Sequence, residues 1–223
     1  MGKERVLRVV FLGPPGAGKG TQARLLEERI GACRLSTGDI LRQAVEERTP
    51  LGKEAADYLN QGQLVPDAVM LKLIGERLSQ ADCRGSFILD GFPRTVAQAD
   101  GLERILKDLG SALDLVLCLR VPNETIVQRL AGRWTCKGCG AVHHVLFNPP
   151  ARAGSCDSCG KELYQREDDR EEKIAARLGV YERQTTPLAE YYRQRGLLRE
   201  IDGSGTVEQV RSRAFQALGA NAA

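Results

Sequence analysis

The sequence predicts an α/β fold, a parallel sheet flanked by helices and interrupted by two insertions. Three observations carry that reading. Apolar, β-branched runs stand out at RVLRVVFLG (5–13), SFILDG (86–91) and LDLVLCLRV (113–121), with a weaker one at LLREIDG (197–203) and ACRLSTG (32–38) as a candidate fifth strand. They are near-continuous rather than alternating, the pattern of strands covered on both faces. Segments of helical period separate them, and strands alternating with helices describe a parallel sheet wrapped by helices. With 223 residues the chain can build one sizeable core with small insertions but not two α/β domains.

Helical period runs through 19–30, 39–47, 51–61, 67–80, 96–109, 123–132, 169–195 and 206–218. Start signals support several of these. Thr95-x-x-Gln98 and Thr206-x-x-Gln209 fit the capping box, and Pro66 and Pro122 stand at helix entrances. Two stretches break the rhythm. Residues 36–65 hold two short helical patterns where one crossover would suffice, and residues 133–168 are rich in Gly, Pro and Cys without a period. Both read as insertions on the core.

Bulk composition excludes some classes. The 32 basic and 29 acidic residues leave a net charge of +3, too balanced for a dedicated nucleic-acid protein. No apolar run reaches membrane-spanning length. The N-terminus does not read as a secretory leader, because Arg8 interrupts its short apolar run. Gly2 lacks the Ser or Thr that a myristoylation signal wants at position 6, where Val6 stands. A cytoplasmic protein is expected. Seven cysteines are present; Cys33, Cys83 and Cys118 stand alone in or beside apolar segments and read as buried small hydrophobes, with no disulfide expected.

The stretch GPPGAGKGT (13–21) follows the first strand and opens the first helix, the context a phosphate-binding loop requires. Gly16, Ala17 and Gly18 let backbone N–H groups approach an anion, the helix N-terminus adds partial positive charge, and Lys19 adds a full one. The usual loop has Ser or Thr directly after the lysine. Here Gly20 intervenes before Thr21, so Mg²⁺ is expected on phosphates, water and a nearby carboxylate.

Cys136, Cys139, Cys156 and Cys159 spell C-x2-C-x16-C-x2-C. Two such pairs match a structural Zn²⁺ site, tetrahedral, all thiolate and closed to substrate. An iron–sulfur cluster would also use four thiolates. Neither pair sits at a strand-to-helix turn as redox pairs do. From Trp134 to Gln165 there are three cations and two carboxylates; four thiolates on a divalent ion bring the segment to about −1. A finger for nucleic acid would be clearly positive. So short a segment, poor in apolar side chains, needs a metal to order it.

Taken together, GPPGAGKGTQA, LSTGDILR, GQLVPD, LDGFPRT, the R-x-D-D at Arg166–Asp169 and the late IDG resemble the adenylate kinase family in order and over nearly the whole chain. The middle insertion is similar to the zinc-bearing lid of some members. The resemblance implies Mg²⁺-dependent transfer, ATP + AMP ⇌ 2 ADP. It places Arg42 and Arg94 on the AMP phosphate, and Arg129, Arg133, Arg166 and Arg177 around the transferring group. Asp90 would orient Mg²⁺ through water, with Asp39 assisting. Thr37, Gln98, Gly91 and the backbone of Leu64 and Val65 would take the adenine of AMP. His144 would lie near the base of ATP, beside a loop of Gly16 to Thr21. Asp168 and Asp169 would act at the lid hinge.

Read from the residues alone, several of these roles stay open. Ser36-x-x-Asp39 fits a helix cap, Gln98 fits the capping partner of Thr95, and REDDREEKIAAR fits an exposed helix with ion pairs. Trp134 and His143 depart from what relatives carry. The division implied is a core of 1–35, 66–131 and 170–223, a monophosphate-binding insert of 36–65 and a zinc lid of 132–169. A monomer that binds ATP, AMP and ADP, without nucleic acid or membrane partners, is expected. The alternatives are a UMP/CMP-type kinase or a nucleotide-dependent binding module built on the finger.

Overall fold

The computed structural model describes residues 6–219; Gly2 and the reading attached to it lie outside the described residues. Five strands form one parallel sheet: β1 (Arg8–Leu12), β2 (Cys33–Ser36), β3 (Phe87–Asp90), β4 (Leu115–Arg120) and β8 (Leu198–Asp202), ordered β2-β3-β1-β4-β8. Each of the five apolar runs becomes a strand of this sheet.

The continuous apolar character has the expected cause. Val10 and Leu12 of β1 join Leu35, Leu89 and Val116 in one core, under α4 (Asp67–Leu78), α5 (Val96–Asp108) and α8 (Pro187–Gln194). Val9 and Phe11 join Ile88, Leu117 and Leu119 in another, under α1 (Lys19–Ile30) and α9 (Val207–Ala217). Fully burying side chains of this size contributes about 1.5–3 kcal/mol each.

The chain leaves β1 toward β2 on one side and leaves β3 toward β4 on the other. The carboxyl ends of β1 and β3 therefore open a crevice, the place where open α/β sheets bind ligands. The loop of residues 13–18 and the turn of residues 91–94 enter it from these two strands.

The insert 36–65 holds α2 (Thr37–Glu46) and α3 (Pro50–Asn60). Ser36 caps α2 by accepting from the Asp39 N–H, as the capping reading had it. The two helices cross closely at Gly52, where a Cβ would lie 1.9 Å from the Ala44 carbonyl oxygen, so no side chain fits. The segment 133–168, which has no helical period, is built on short strands. It forms an antiparallel sheet of β5 (Arg133–Cys136), β6 (Val142–His144) and β7 (Leu163–Tyr164), ordered β6-β5-β7. Strands of two to four residues are too short to show a period.

Three further expectations need correction. The single helix expected over 169–195 is broken into α7 (Glu171–Val180), a π turn at Tyr181–Thr185 and α8. Pro187 lacks an N–H and opens α8, so the preceding turn widens rather than continuing the α ladder. Gln98 does not complete a capping box. Thr95 accepts from the Gln98 N–H, but the Gln98 side chain turns to the N–H of Arg94 instead. The Thr206–Gln209 box forms as expected. Finally, Cys33 and Cys83 are joined as a disulfide, with Cα atoms 5.1 Å apart. Cys33 opens β2 opposite Phe87, and Cys83 lies in the 3-10 turn that feeds β3, so strand pairing brings together two thiols 50 residues apart. Cys118 is a buried free thiol in β4.

Candidate active site

Lys19 is the first residue of α1, and its ammonium donates to the carbonyls of Gly13 (2.8 Å) and Pro14 (2.9 Å). It is thereby held over the loop. Desolvation lowers its pKa first; Asp90 pulls it back, and Arg94, Arg177 and Arg133 push it down again, leaving it at about 8 instead of 10.5. Asp90, at the end of β3, is pushed the other way, up, by burial above all, against the pull of Lys19. Gly20 makes room for it: a Cβ there would stand 3.1 Å from Asp90 Oδ2.

Five guanidinium groups, from α2, the turn after β3, β5, the segment just before α7 and α7 itself, gather about this crevice. Arg94 follows β3 and donates to the Gly91 carbonyl through Nε at 2.7 Å; the Thr185 hydroxyl of the π turn fixes its backbone by donating to its carbonyl at 2.9 Å. Burial above all, then Arg177 and Arg42 against the pull of Asp90, lowers the pKa of Arg94 to about 10. Arg166 falls to about 10 for the same reasons, burial first, then Arg42 and Arg133. Arg133 grips Asp169 in a fork, with Nε 2.7 Å from Oδ2, and Asp169 also accepts from Arg177 at 3.1 Å. Arg177 donates to the Asp168 backbone carbonyl at 2.8 Å. Burial opposes the ionised form of Asp168, yet Arg177, Arg42, Arg133 and Arg166 hold it below the ordinary range. Asp39 bonds Arg42 and lies 3.6 Å from Arg166, and it is drawn down to about 2 against its desolvation.

The ion-pair reading of REDDREEKIAAR is thus half realised. Arg170 pairs with Glu167 on the surface, whereas Asp169 and Arg177 turn inward to the cluster. Arg129 stands apart from the cluster. Its guanidinium bonds the Ala17 carbonyl of the loop at 3.4 Å and the Gly203 carbonyl after β8 at 3.0 Å.

Beside the cluster lies a cleft under the insert. Leu41, Leu59, Leu64, Val65 and Met70 form its apolar wall; Thr37, Gly91 and Gln98 form its polar floor; Arg42, Arg94 and Arg177 close one end. The Thr37 hydroxyl donates to the Gly91 carbonyl at 2.9 Å. A flat apolar slot with a few fixed polar groups and cations at one end suits a base joined to a phosphate.

His144 is buried, and backbone groups occupy both its ring nitrogens. Nδ1 accepts from the N–H groups of Leu146 and Phe147 at 3.0 and 3.1 Å, and Nε2 meets the Gln128 carbonyl at 3.2 Å. The Phe147 ring stacks on it. Trp134 and His143 face each other across the β5–β6 pairing. His143 is buried, with its Nδ1 3.8 Å from Asp157.

The four paired cysteines come together, all sulfurs within 4.8 Å of one another. The two pairs are built alike: Gly140 N–H bonds the Cys136 carbonyl and Gly160 N–H the Cys156 carbonyl, closing equivalent turns. Gly138 N–H points at Cys136 Sγ, 3.3 Å away. A tight cluster of four sulfurs with an N–H aimed at one fits a tetrahedral thiolate site. Arg24 of α1 reaches the Gly140 carbonyl at 3.1 Å, so that turn rests against the core, and within the segment the Arg166 Nε donates to the Thr135 hydroxyl at 3.0 Å. Neither Arg24 nor Thr135 carried a sequence signal.

Comparison with known proteins agrees with this geometry. The family model described as Adenylate kinase matches residues 11–197. A protein of Moorella thermoacetica named adenylate kinase is 53% identical over 213 residues, covering 96% of this chain and 98% of its own length. One of Citrifermentans bemidjiense is 53% identical over 212 residues, covering 95% and 99%. One of Archaeoglobus fulgidus is 50% identical over 204 residues, covering 92% and 94%.

A bound anion should raise the proton affinity of Lys19, which burial and the neighbouring arginines lower. Just above pH 8, binding of inorganic sulfate, which carries no proton at that pH, is therefore expected to take up protons, and affinity to fall as pH rises through about 8. Calorimetry in two buffers of different ionisation enthalpy measures this; proton release, or none moved, would contradict the assignment.

Proposed function

The chain belongs to the adenylate kinase family, and from that premise we propose that it catalyses ATP + AMP ⇌ 2 ADP at the crevice between β1 and β3. One observation carries the reading: Lys19, Arg42, Arg94, Arg133, Arg166 and Arg177 converge there beside a cleft, and burial first, then the neighbouring cations, lowers the pKa of Lys19, Arg94, Arg166 and Arg177.

In this reading Gly16 to Thr21 and Lys19 cradle the ATP phosphates. Arg129 braces the loop through Ala17 and meets the outer side of ATP, near the His144 turn. Arg42 and Arg94 hold the AMP phosphate, while Thr37, Gly91, Gln98, Leu64 and Val65 line its base. An AMP phosphate oxygen attacks the terminal phosphorus of ATP, and the bond to the bridging oxygen breaks toward ADP. The transferring group passes between Lys19, Arg133, Arg166 and Arg177, whose fixed charges need no reorganisation as negative charge shifts. Mg²⁺, carried in with ATP, would neutralise phosphate charge, and Asp90 is the carboxylate placed to orient it through water. The residue types and their convergence support these roles.

We assign 36–65 to the monophosphate insert, 132–169 to a lid and the remainder to the core. The separate small apolar cluster of Cys136, Cys156 and Leu163 with Trp134 supports a lid that holds together by itself. Structural Zn²⁺ on Cys136, Cys139, Cys156 and Cys159 would supply what that cluster lacks. We take the protein to act as a cytoplasmic monomer; among the described residues no helix is long and apolar enough to cross a membrane.

A coupled assay with ATP and each of AMP, GMP, CMP and UMP tests the activity. AMP should be turned over by far the fastest; no turnover with any acceptor, or a preference for CMP or UMP, would contradict the proposal. The metal has its own test. Structural zinc supplies on the order of 10–16 kcal/mol in small modules. Chelation, or Cys156→Ser, should therefore speed proteolytic cleavage within 133–164 and lower the melting temperature. Unchanged cleavage and melting would exclude a structural metal.

A further inference from the structure

Gln98 lies on the cleft floor with its amide already engaged. Its Oε1 accepts the backbone N–H of Arg94 at 2.8 Å, and its Nε2 donates to Asp67 Oδ1 at 2.7 Å. Asp67 is the first residue of α4 and does not line the cleft. Its other oxygen accepts the Thr95 hydroxyl at 3.0 Å, and Thr95 caps α5 by accepting the Gln98 N–H at 3.1 Å. Asp67, Thr95, Arg94 and Gln98 thus close one hydrogen-bonded ring between α4 and α5.

The chemistry of the partners sets the orientation. A backbone N–H can only donate, so the oxygen of the amide must face Arg94. A carboxylate can only accept, so the nitrogen must face Asp67. A glutamine with neutral partners can turn over and exchange donor for acceptor; this one cannot without facing donor to donor and acceptor to acceptor at two partly buried groups. What it has left, one N–H and one lone pair, is offered to the cleft in a single fixed order. Adenine pairs a donor at its 6-amino group with an acceptor at N1. Hypoxanthine and guanine carry the reverse, a 6-oxo acceptor and an N1–H donor. Uracil has the reverse order too, and cytosine the order of adenine.

We infer that Asp67 is a specificity-determining, positioning residue: by locking the amide of Gln98 it makes the cleft accept a 6-amino purine monophosphate and reject its 6-oxo counterpart. The inference rests on the AMP assignment of the cleft proposed above. Asp67 touches no substrate; it acts through Gln98.

Asp67→Asn keeps the volume but can donate as well as accept, and Asp67→Ala removes the partner. The measurement is kcat and KM for AMP, IMP, GMP, CMP and UMP, with melting temperature and the KM for ATP beside them. In Asp67→Asn the KM for AMP should rise on the order of tenfold, with kcat and the KM for ATP within about twofold. The AMP-to-IMP ratio of kcat/KM should narrow by a similar factor, and UMP should gain on CMP. Asp67→Ala should show the same pattern, and Asp67→Glu should partly restore discrimination. An equal loss for all five acceptors, or an unchanged AMP-to-IMP ratio in a folded Asp67→Asn protein, would overturn the role of Asp67 alone. A wild-type chain that uses IMP as well as AMP would overturn the cleft assignment beneath it.

Discussion

Uncompensated positive charge is the constraint on which the rest of the structure depends. Six cations, Lys19, Arg42, Arg94, Arg133, Arg166 and Arg177, face four carboxylates, Asp39, Asp90, Asp168 and Asp169, in a desolvated crevice. Left to itself such a cluster would push apart. It is held by a parallel sheet whose strand ends are buried on both faces, and by the carboxylates, which pin the arginines without neutralising them. Asp169, almost fully buried, grips Arg133 and Arg177 at once and ties β5 to α7. Asp39 does the same between Arg42 of α2 and Arg166. The acidic residues are therefore organising elements, and the missing negative charge is left for the ligand to supply.

Such an arrangement explains why groups lining the crevice and cleft have backbone or side-chain support behind them. Thr185, in the π turn that Pro187 forces, bonds the carbonyl of Arg94. Asp67 orients Gln98. Gly20 yields its space to Asp90. A site that must fix cations against their mutual repulsion has to spend backbone geometry and buried hydrogen bonds on doing so.

How much of this was legible depended on whether the signal was local. Strands β1, β3 and β4 showed in the sequence because burial on both faces leaves a continuous apolar run, whatever the tertiary partner; the edge strands β2 and β8, partly exposed, showed more weakly. The loop of residues 13–21 and the paired cysteines showed because their spacing is itself the geometry. Arg94 showed as the residue after a strand end. Arg42, Arg166 and Arg177 carried no such mark; their helices read as solvated surfaces, and only the family resemblance set them apart. Three features could not be read at all. The disulfide of Cys33 and Cys83 depends on β2–β3 pairing. The lid strands are shorter than any period. The partner of Gln98 sits 31 residues away on another helix, where Asp67 looks like an ordinary acidic start to α4. The capping-box pattern even pointed Gln98 to the wrong N–H, one residue along the chain.

The most direct test of this account is thermal unfolding of the ligand-free chain in sodium chloride and in sodium tripolyphosphate at matched ionic strength. If the crevice stores charge that a polyphosphate is meant to meet, tripolyphosphate will raise the melting temperature well beyond chloride. Equal melting temperatures in the two salts would mean that the arginines are already satisfied, and would contradict the account at its centre.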